Sequence, residues 1–151
     1  MSRNRLWHAM AATAVLALIL TGCSGMNEKD VSDRLGREAG LNGALVEVQH
    51  PGLPTNEKIV VWMFVDDTSA PAVADDVTRV ARVAANDPDL AGKDLTLAAV
   101  EGSPADHTDR VVLGSSGVPV MAAVAETVGG RGAEEFLELS AADVRRLAGQ
   151  Q

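Results

Sequence analysis

The thiol of Cys23 is the side chain with the clearest chemical use in this sequence. It follows Leu20, Thr21 and Gly22, and it is the only cysteine in the 151 residues. A thiolate is a strong nucleophile, and the small residues before it leave the backbone open to a processing enzyme. With no second cysteine, the chain has no internal disulfide. The sequence therefore predicts covalent modification at Cys23.

The residues that precede this thiol have the layout of a secretory signal. Arg3 and Arg5 are basic, and residues 9–20 are apolar except for Thr13. A basic start, a short apolar stretch and small residues at the end are typical of a cleaved signal peptide. A membrane-spanning helix needs roughly 20 apolar residues. We therefore expect residues 1–22 to be a helical signal peptide that is removed.

Together, Leu20-Thr21-Gly22-Cys23 resembles the lipobox of bacterial lipoproteins. The resemblance implies that the Cys23 thiol receives a diacylglyceryl group through a thioether. It also implies that a signal peptidase recognises Leu20, Thr21 and Gly22 and cuts before Cys23, whose new amino group is often acylated. The protein would then be exported and held on the extracytoplasmic side of the cell membrane by this covalent lipid. No other cofactor is expected.

A polar cluster later in the chain has the residue types of a metal site. Asp106, His107 and Asp109 lie within four positions, and imidazole and carboxylate groups are common metal ligands. Adjacent side chains point in different directions, so this spacing supplies at most part of a coordination shell. A surface loop is the favoured interpretation, with a weak metal site as the alternative.

Two acidic pairs, at residues 66–67 and 75–76, flank the start of a predicted helix. Their oxygens could bind a hard cation. Asp67 or Ser69 could instead cap the helix, because aspartate and serine are favoured before the first turn. Helix capping is the favoured interpretation.

The net charge limits the partners that the chain can have. Without residues 1–22, 11 Lys and Arg face 21 Asp and Glu, which gives a net charge of −10. Nucleic-acid binding requires a basic surface, so we expect no nucleic-acid partner. Docking on anionic lipid by charge is disfavoured for the same reason, and the membrane would be held through the lipid anchor alone.

Hydrophobic periodicity divides the mature chain into helices and strands. After Cys23 and a short tether to residue 28, residues 29–151 are predicted to form a single domain. The most distinct strand is at residues 58–65, where an unbroken apolar run from Ile59 to Val65 contains Trp62. Helices are predicted at 29–39, 70–85 and 141–148, and strands at 44–50, 58–65, 94–101 and 136–139, with 110–113 a candidate short strand and 119–128 ambiguous but favoured as a helix. Ser140 and Asp143 have the spacing of a capping box for the last helix.

This order predicts an α+β fold. Two strands joined by a short turn pair antiparallel, and a strand–helix–strand step returns the next strand parallel to its neighbour. The result is a two-layer sandwich, in which a small mixed sheet carries helices mainly on one face. The element order resembles that of BON-type domains of bacterial envelope proteins, and the resemblance rests on order alone.

The sequence predicts a membrane-anchored envelope lipoprotein whose domain is a non-catalytic binding, adaptor or structural module. Its partner would be the membrane, through the lipid, and an envelope protein. One alternative is an envelope hydrolase or metal-dependent enzyme that uses His107 with Asp106 or Asp109. A second alternative is a thioredoxin-like scaffold without redox activity, since residues 68–71 lack the two cysteines that such chemistry needs.

Overall fold

A computed structural model of the protein describes residues 25–107 and 116–150. Four helices and five strands form an α+β fold in this part of the chain, as the sequence predicts. In chain order the elements are α1 (Glu28–Ala39), β1 (Gly43–Gln49), β2 (Lys58–Val65), α2 (Ala70–Ala84), β3 (Leu95–Glu101), α3 (Met121–Val128), β4 (Arg131–Gly132), β5 (Leu137–Leu139) and α4 (Ala141–Leu147). A 3-10 turn at Pro104–Asp106 follows β3.

The five strands form one mixed sheet in the order β1-β2-β3-β5-β4. β1 pairs antiparallel with β2, and β2 pairs parallel with β3 through the α2 crossover. Both pairings are those predicted. β5 adds to the other side of β3 antiparallel, and β4 closes that side. Two strands therefore lie at the edges: β1 and the two-residue β4.

The helices pack on one face of the sheet. Alternate residues of β2, such as Val61 and Met63, meet the apolar sides of α1, α2, α3 and α4 in one buried cluster. The opposite face has a smaller cluster around Trp62 and Phe64. The Trp62 ring meets Phe136 edge-on, with 5.7 Å between the ring centres. This arrangement explains why β2 is apolar from Ile59 to Val65: both of its faces are buried there.

Helix α1 lies along the outer edge of β1 and runs antiparallel to it. The Ser32 hydroxyl accepts a hydrogen bond from the amide of Val46 at 2.8 Å, and the Glu28 carboxylate accepts one from the amide of Val48 at 2.8 Å. One turn further along, Gly36 lies against the backbone of Ala44. Side chains of α1 thus take the place of a neighbouring strand and cover an edge that would otherwise be exposed.

Most boundaries agree with the sequence prediction within one or two residues. The ambiguous segment at 119–128 contains helix α3, as its alanines favoured. Gly40 takes the left-handed conformation at the end of α1, with φ of 66°. The candidate strand at 110–113 lies outside the described residues. The pairing of Arg131–Gly132 as β4 is a feature that the sequence did not predict.

Candidate functional site

The carboxyl ends of β2 and β3 bring together most of the polar residues singled out above. These two strands are parallel neighbours, so both end at the same edge of the sheet. Asp66 and Asp67 follow β2, and the segment that holds Asp106 and His107 follows β3. In open α/β sheets this edge is where ligands commonly bind. We refer to this edge, which is formed by the carboxyl ends of the strands and is distinct from the edge strands β1 and β4, as the carboxyl edge.

Asn42 connects three segments at the carboxyl edge. Its side-chain amide donates to the Asp66 carboxylate at 2.6 Å and to the backbone oxygen of Gly102 at 3.1 Å. The residue follows α1, whereas Asp66 and Gly102 follow β2 and β3. One side chain therefore joins the ends of three elements, and the Asp66 carboxylate is engaged in that connection.

Asp67 shapes the entry to α2. Its carboxylate accepts a hydrogen bond from the amide of Ser69 at 2.9 Å, and Ser69 occupies the N-cap position of the helix. Hydrogen bonds from the Ser69 amide and hydroxyl hold the pKa of Asp67 below its usual range. Ser69 therefore occupies the predicted N-cap position, but its side chain makes no capping hydrogen bond, and the Asp67 carboxylate holds the chain just before the first turn. The residues at 68–71, noted for their lack of cysteines, form this helix start.

Four aspartates line one cleft of about 260 Å³ beside α2: Asp66, Asp67, Asp75 and Asp76. The sheet edge and the helix therefore do bring the two acidic pairs together. Asp76 is itself paired with Arg79 of the same helix, and Arg79 reaches the backbone oxygen of Gly40 at 3.4 Å. Each of Asp66, Asp67 and Asp76 is hydrogen-bonded to a protein group, so much of their oxygen capacity is already used.

Asp106 caps the 3-10 turn that follows β3. Its carboxylate accepts hydrogen bonds from the Ser103 amide at 2.9 Å and from the Ser103 hydroxyl at 2.7 Å. The hydroxyl and the amide hold the pKa of Asp106 below its usual range. The signal for this role is the Ser-x-x-Asp spacing at 103–106, the same pattern that predicted the capping box at 140–143. The metal-site interpretation of Asp106, His107 and Asp109 does not predict this cap.

His107 lies half-buried at the end of the turn. Its ring is tilted over that of Phe64, with 5.6 Å between centres. Its Nε2 is 3.2 Å from the backbone oxygen of Glu101. Because a carbonyl oxygen can only accept, Nε2 must carry the proton in this contact. One ring nitrogen therefore attaches the turn to the end of β3.

These contacts determine what the polar cluster can do. Asp106 and His107 both serve structural interactions, and Asp109 lies outside the described residues. Within residues 25–107 and 116–150, no group of three or more His, Cys, Asp or Glu side chains is arranged to hold a metal ion. The weak metal site at Asp106, His107 and Asp109 therefore gains no support from the two members whose positions are described.

A larger groove of about 650 Å³ follows the crease between α1 and β1. Its floor includes Leu41, Ala44 and Leu45, and charged residues of α1, such as Lys29 and Asp33, line its rim. The Pro104 ring closes one end, where it packs directly on Gly43. This groove had no sequence signal, because it forms only where the helix covers the strand edge.

Comparison with known protein families, curated proteins and solved structures gives no match to the chain. The predicted lipobox, Leu20-Thr21-Gly22-Cys23, and the signal peptide lie outside the described residues. In the part of the chain that is described, no helix has the length and apolar character needed to cross a membrane.

Proposed function

We propose that this protein is a bacterial envelope lipoprotein, anchored through Cys23, whose α+β domain is a non-catalytic binding or adaptor module. The observation that carries the proposal is the combination of the lipobox-like residues with the short distance between Cys23 and the folded domain. The domain begins almost at once after the residue that would carry the lipid.

The connection between lipid and domain is short. Asn27 is the N-cap of α1, where its side chain accepts from the Asp30 amide, and Met26 already packs against the core. Three residue steps separate Cys23 from Met26, which span about 11 Å when extended. Such a connection keeps the domain at the membrane surface.

The acyl chains would hold the protein firmly. Each buried methylene group contributes about 0.8 kcal/mol, and two chains anchor stably where one does so only marginally. The acidic domain supplies no electrostatic attraction to anionic lipid of its own, so the anchor is the source of the membrane affinity.

The contacts at the carboxyl edge support a binding role over a catalytic one. Asp66 and His107 each make a hydrogen bond that connects two elements, and Asp106 caps the 3-10 turn. Asp67 accepts from the Ser69 amide at the start of α2, and Asp76 pairs with Arg79 within that helix. A general acid or base must be free to exchange protons with a substrate. Side chains that are already engaged in such hydrogen bonds are better suited to hold a rigid binding surface than to exchange protons with a substrate.

Replacement of Cys23 by Ala tests the anchor. We expect the variant to remain unprocessed or to leave the membrane fraction, and mass spectrometry of the wild-type amino-terminal peptide should show the lipid. Gly25→Ala is a matched control, since an added Cβ at Gly25 meets nothing within 4 Å. If Cys23→Ala is processed and retained on membranes as the wild type is, the lipoprotein assignment is wrong.

The non-catalytic assignment has its own test. Purified protein is assayed against chromogenic ester and phosphoester substrates with added zinc or magnesium, beside a His107→Ala variant. We expect no turnover from either. Turnover that disappears in His107→Ala would favour the metal-dependent enzyme instead. Cross-linking of the anchored protein in its native envelope, compared with Cys23→Ala, would then identify the partner.

A further inference from the structure

The start of α1 and the end of β1 meet at the same end of the molecule. The Glu28 carboxylate accepts from the Val48 amide at 2.8 Å. Cys23 lies five residues before Glu28, and Leu53 lies five residues after Val48. Because five residues span at most about 18 Å, chain length alone limits Cys23 to about that distance from Glu28, and Leu53 to about that distance from Val48. With the anchor proposed above, this end of the sheet, opposite the carboxyl edge, would be the end nearest to the lipid.

The turn between β1 and β2 projects from this end. Leu53 has 63% of its surface exposed, and it is the only large hydrophobic residue left exposed in the described part of the chain. Single exposed leucines are common on protein surfaces, so exposure alone carries no argument. What distinguishes Leu53 is that it lies at the end of the molecule from which the chain leads back to the proposed anchor.

The tip of the turn is uncharged and held by its own hydrogen bonds. Residues 51–56 contain no charged side chain, in a chain of which 23% is charged. The Leu53 amide donates to Pro51 O at 3.1 Å, and the Asn56 amide donates to Leu53 O at 3.0 Å. The Asn56 side chain adds a bond to Pro51 O at 3.3 Å. The turn thus presents Leu53 outward in a preformed conformation, at low entropic cost on binding.

We propose that this turn is a second membrane contact, in which Leu53 enters the interfacial region of the bilayer beside the acyl chains of Cys23. The inference rests on the lipid anchor proposed above. One leucine would not bind a free protein to a membrane, but a tethered protein holds the turn at high effective concentration next to the lipid. The contact would fix the orientation of the domain, with the carboxyl edge directed away from the bilayer.

The chemistry of the tip favours a lipid bilayer as the occupant. A domain of net charge −10 is repelled by anionic headgroups, so a charge-free tip is the part that can approach them closely. The contact is apolar, and we expect it to be insensitive to salt. An apolar patch on a neighbouring protein is the competing occupant.

A depth-sensitive probe near the tip tests the proposal. Thr55→Cys places a thiol two residues from Leu53, at an exposed side chain. In the lipidated full-length mature protein the Cys23 sulfur is blocked as a thioether, so an environment-sensitive dye labels only position 55. The protein is reconstituted in phosphatidylcholine vesicles that contain lipids with a quencher near the headgroup. Ala105→Cys, exposed in the 3-10 turn at the carboxyl edge, is the matched control.

We expect the dye at position 55 to be quenched and the dye at position 105 to be unquenched. Addition of Leu53→Asn to Thr55→Cys should abolish the quenching without releasing the protein from the vesicles. Equal quenching at the two positions, or quenching unchanged by Leu53→Asn, would overturn the proposal. Failure of the lipid anchor would be seen separately, as a Cys23 peptide without lipid mass and a protein that does not bind the vesicles. A shift in the emission of the dye at position 55 that appears only in native envelope, and not in pure lipid, would favour the neighbouring protein and also overturn the proposal.

Discussion

The hydroxyl of Ser32 accepts a hydrogen bond from the backbone amide of Val46 at 2.8 Å and donates one to the backbone oxygen of Glu28 at 2.5 Å. A helix side chain thus satisfies an edge-strand amide. Four residues of helix rise about 6 Å, and two residues of strand rise about 6.8 Å. Because these two distances nearly match, the residues at positions 28, 32 and 36 can each lie opposite one of the alternate backbone amides of β1. The edge of the sheet is covered without another strand.

Replacement of Ser32 by Ala should destabilise the fold. Ser32 is 5% exposed, and its loss leaves the Val46 amide buried without an acceptor, at a cost of about 1–3 kcal/mol. Urea unfolding would measure this through the fluorescence of Trp62, which is the only tryptophan left once residues 1–22 are removed. Thr55→Ala removes an exposed hydroxyl and should change little. Equal stability of the two variants would contradict the edge-capping role.

Replacement of Gly36 by Ala tests the close approach of α1 to β1. Alanine normally stabilises an exposed helix position by about 1 kcal/mol relative to glycine. Here the added Cβ would lie 2.8 Å from the Ala44 nitrogen and 3.1 Å from Gly43. We expect the overpacking to make this substitution destabilising instead, with a loss of about 1–3 kcal/mol in the free energy of unfolding. Gly25→Ala serves as the control, and a stabilised Gly36→Ala would show that α1 can move away freely.

Much of the fold could be predicted from local sequence. The apolar run that ends at Val65 and the breaks that bound it determine β2, and the crossover rule determines the parallel pairing with β3. The capping box at Ser140 is confirmed, with Asp143 accepting from the Ser140 hydroxyl at 2.6 Å. These features depend on residues close together in sequence, where spacing carries the information.

The covering of β1 could not be predicted in the same way. The helical pattern identified the apolar face of α1, while Glu28, Ser32 and Gly36 lie on a different side and look like ordinary solvent-facing residues. Their role appears only when α1 lies beside β1. The contact from Asn42 to Asp66 and Gly102 could not be predicted for the same reason, because it joins positions that are 24 and 60 residues apart.

Acid should weaken the connection between α1 and the turn after α2. The Arg34 guanidinium donates two hydrogen bonds to Asp87, at 2.9 and 3.1 Å, and one to Asp89 at 2.7 Å. Burial raises the pKa of Asp87, but the bonds from Arg34 and from the Asp89 amide outweigh it, so that the pKa lies below its ordinary value. A group with a lowered folded-state pKa stabilises the fold above its unfolded pKa, about 3.9 for aspartate, and loses that effect as the pH falls further.

Asp87→Asn should therefore destabilise the protein at neutral pH, by about 1–2 kcal/mol if the charged hydrogen bonds are lost. The difference from the wild type should begin to shrink below about pH 4, where the carboxylate of the unfolded chain becomes protonated, and should continue to shrink until the folded carboxylate is protonated too. Unfolding curves at several pH values between 3 and 7 would show this convergence. Asp33→Asn removes a carboxylate from an exposed pair with Lys29 and should leave the profile nearly unchanged. If the free energy of unfolding of Asp87→Asn differed from that of the wild type by the same amount at all pH values, the link between Asp87 protonation and stability would be contradicted.

The two Ser-x-x-Asp caps should differ in their contribution to stability, although in both the aspartate accepts hydrogen bonds from the serine amide and hydroxyl. Ser140 starts α4, which buries Val144 in the main core, whereas Ser103 starts a 3-10 turn that buries no residue. Ser140→Ala should cost about 1 kcal/mol, while Ser103→Ala should leave the free energy of unfolding almost unchanged, because that turn can open without exposing the core. Ser140→Asn should retain most of the stability, since asparagine is as good an N-cap as serine. Equal losses at positions 103 and 140 would mean that the cap itself, and not the burial behind it, determines the cost.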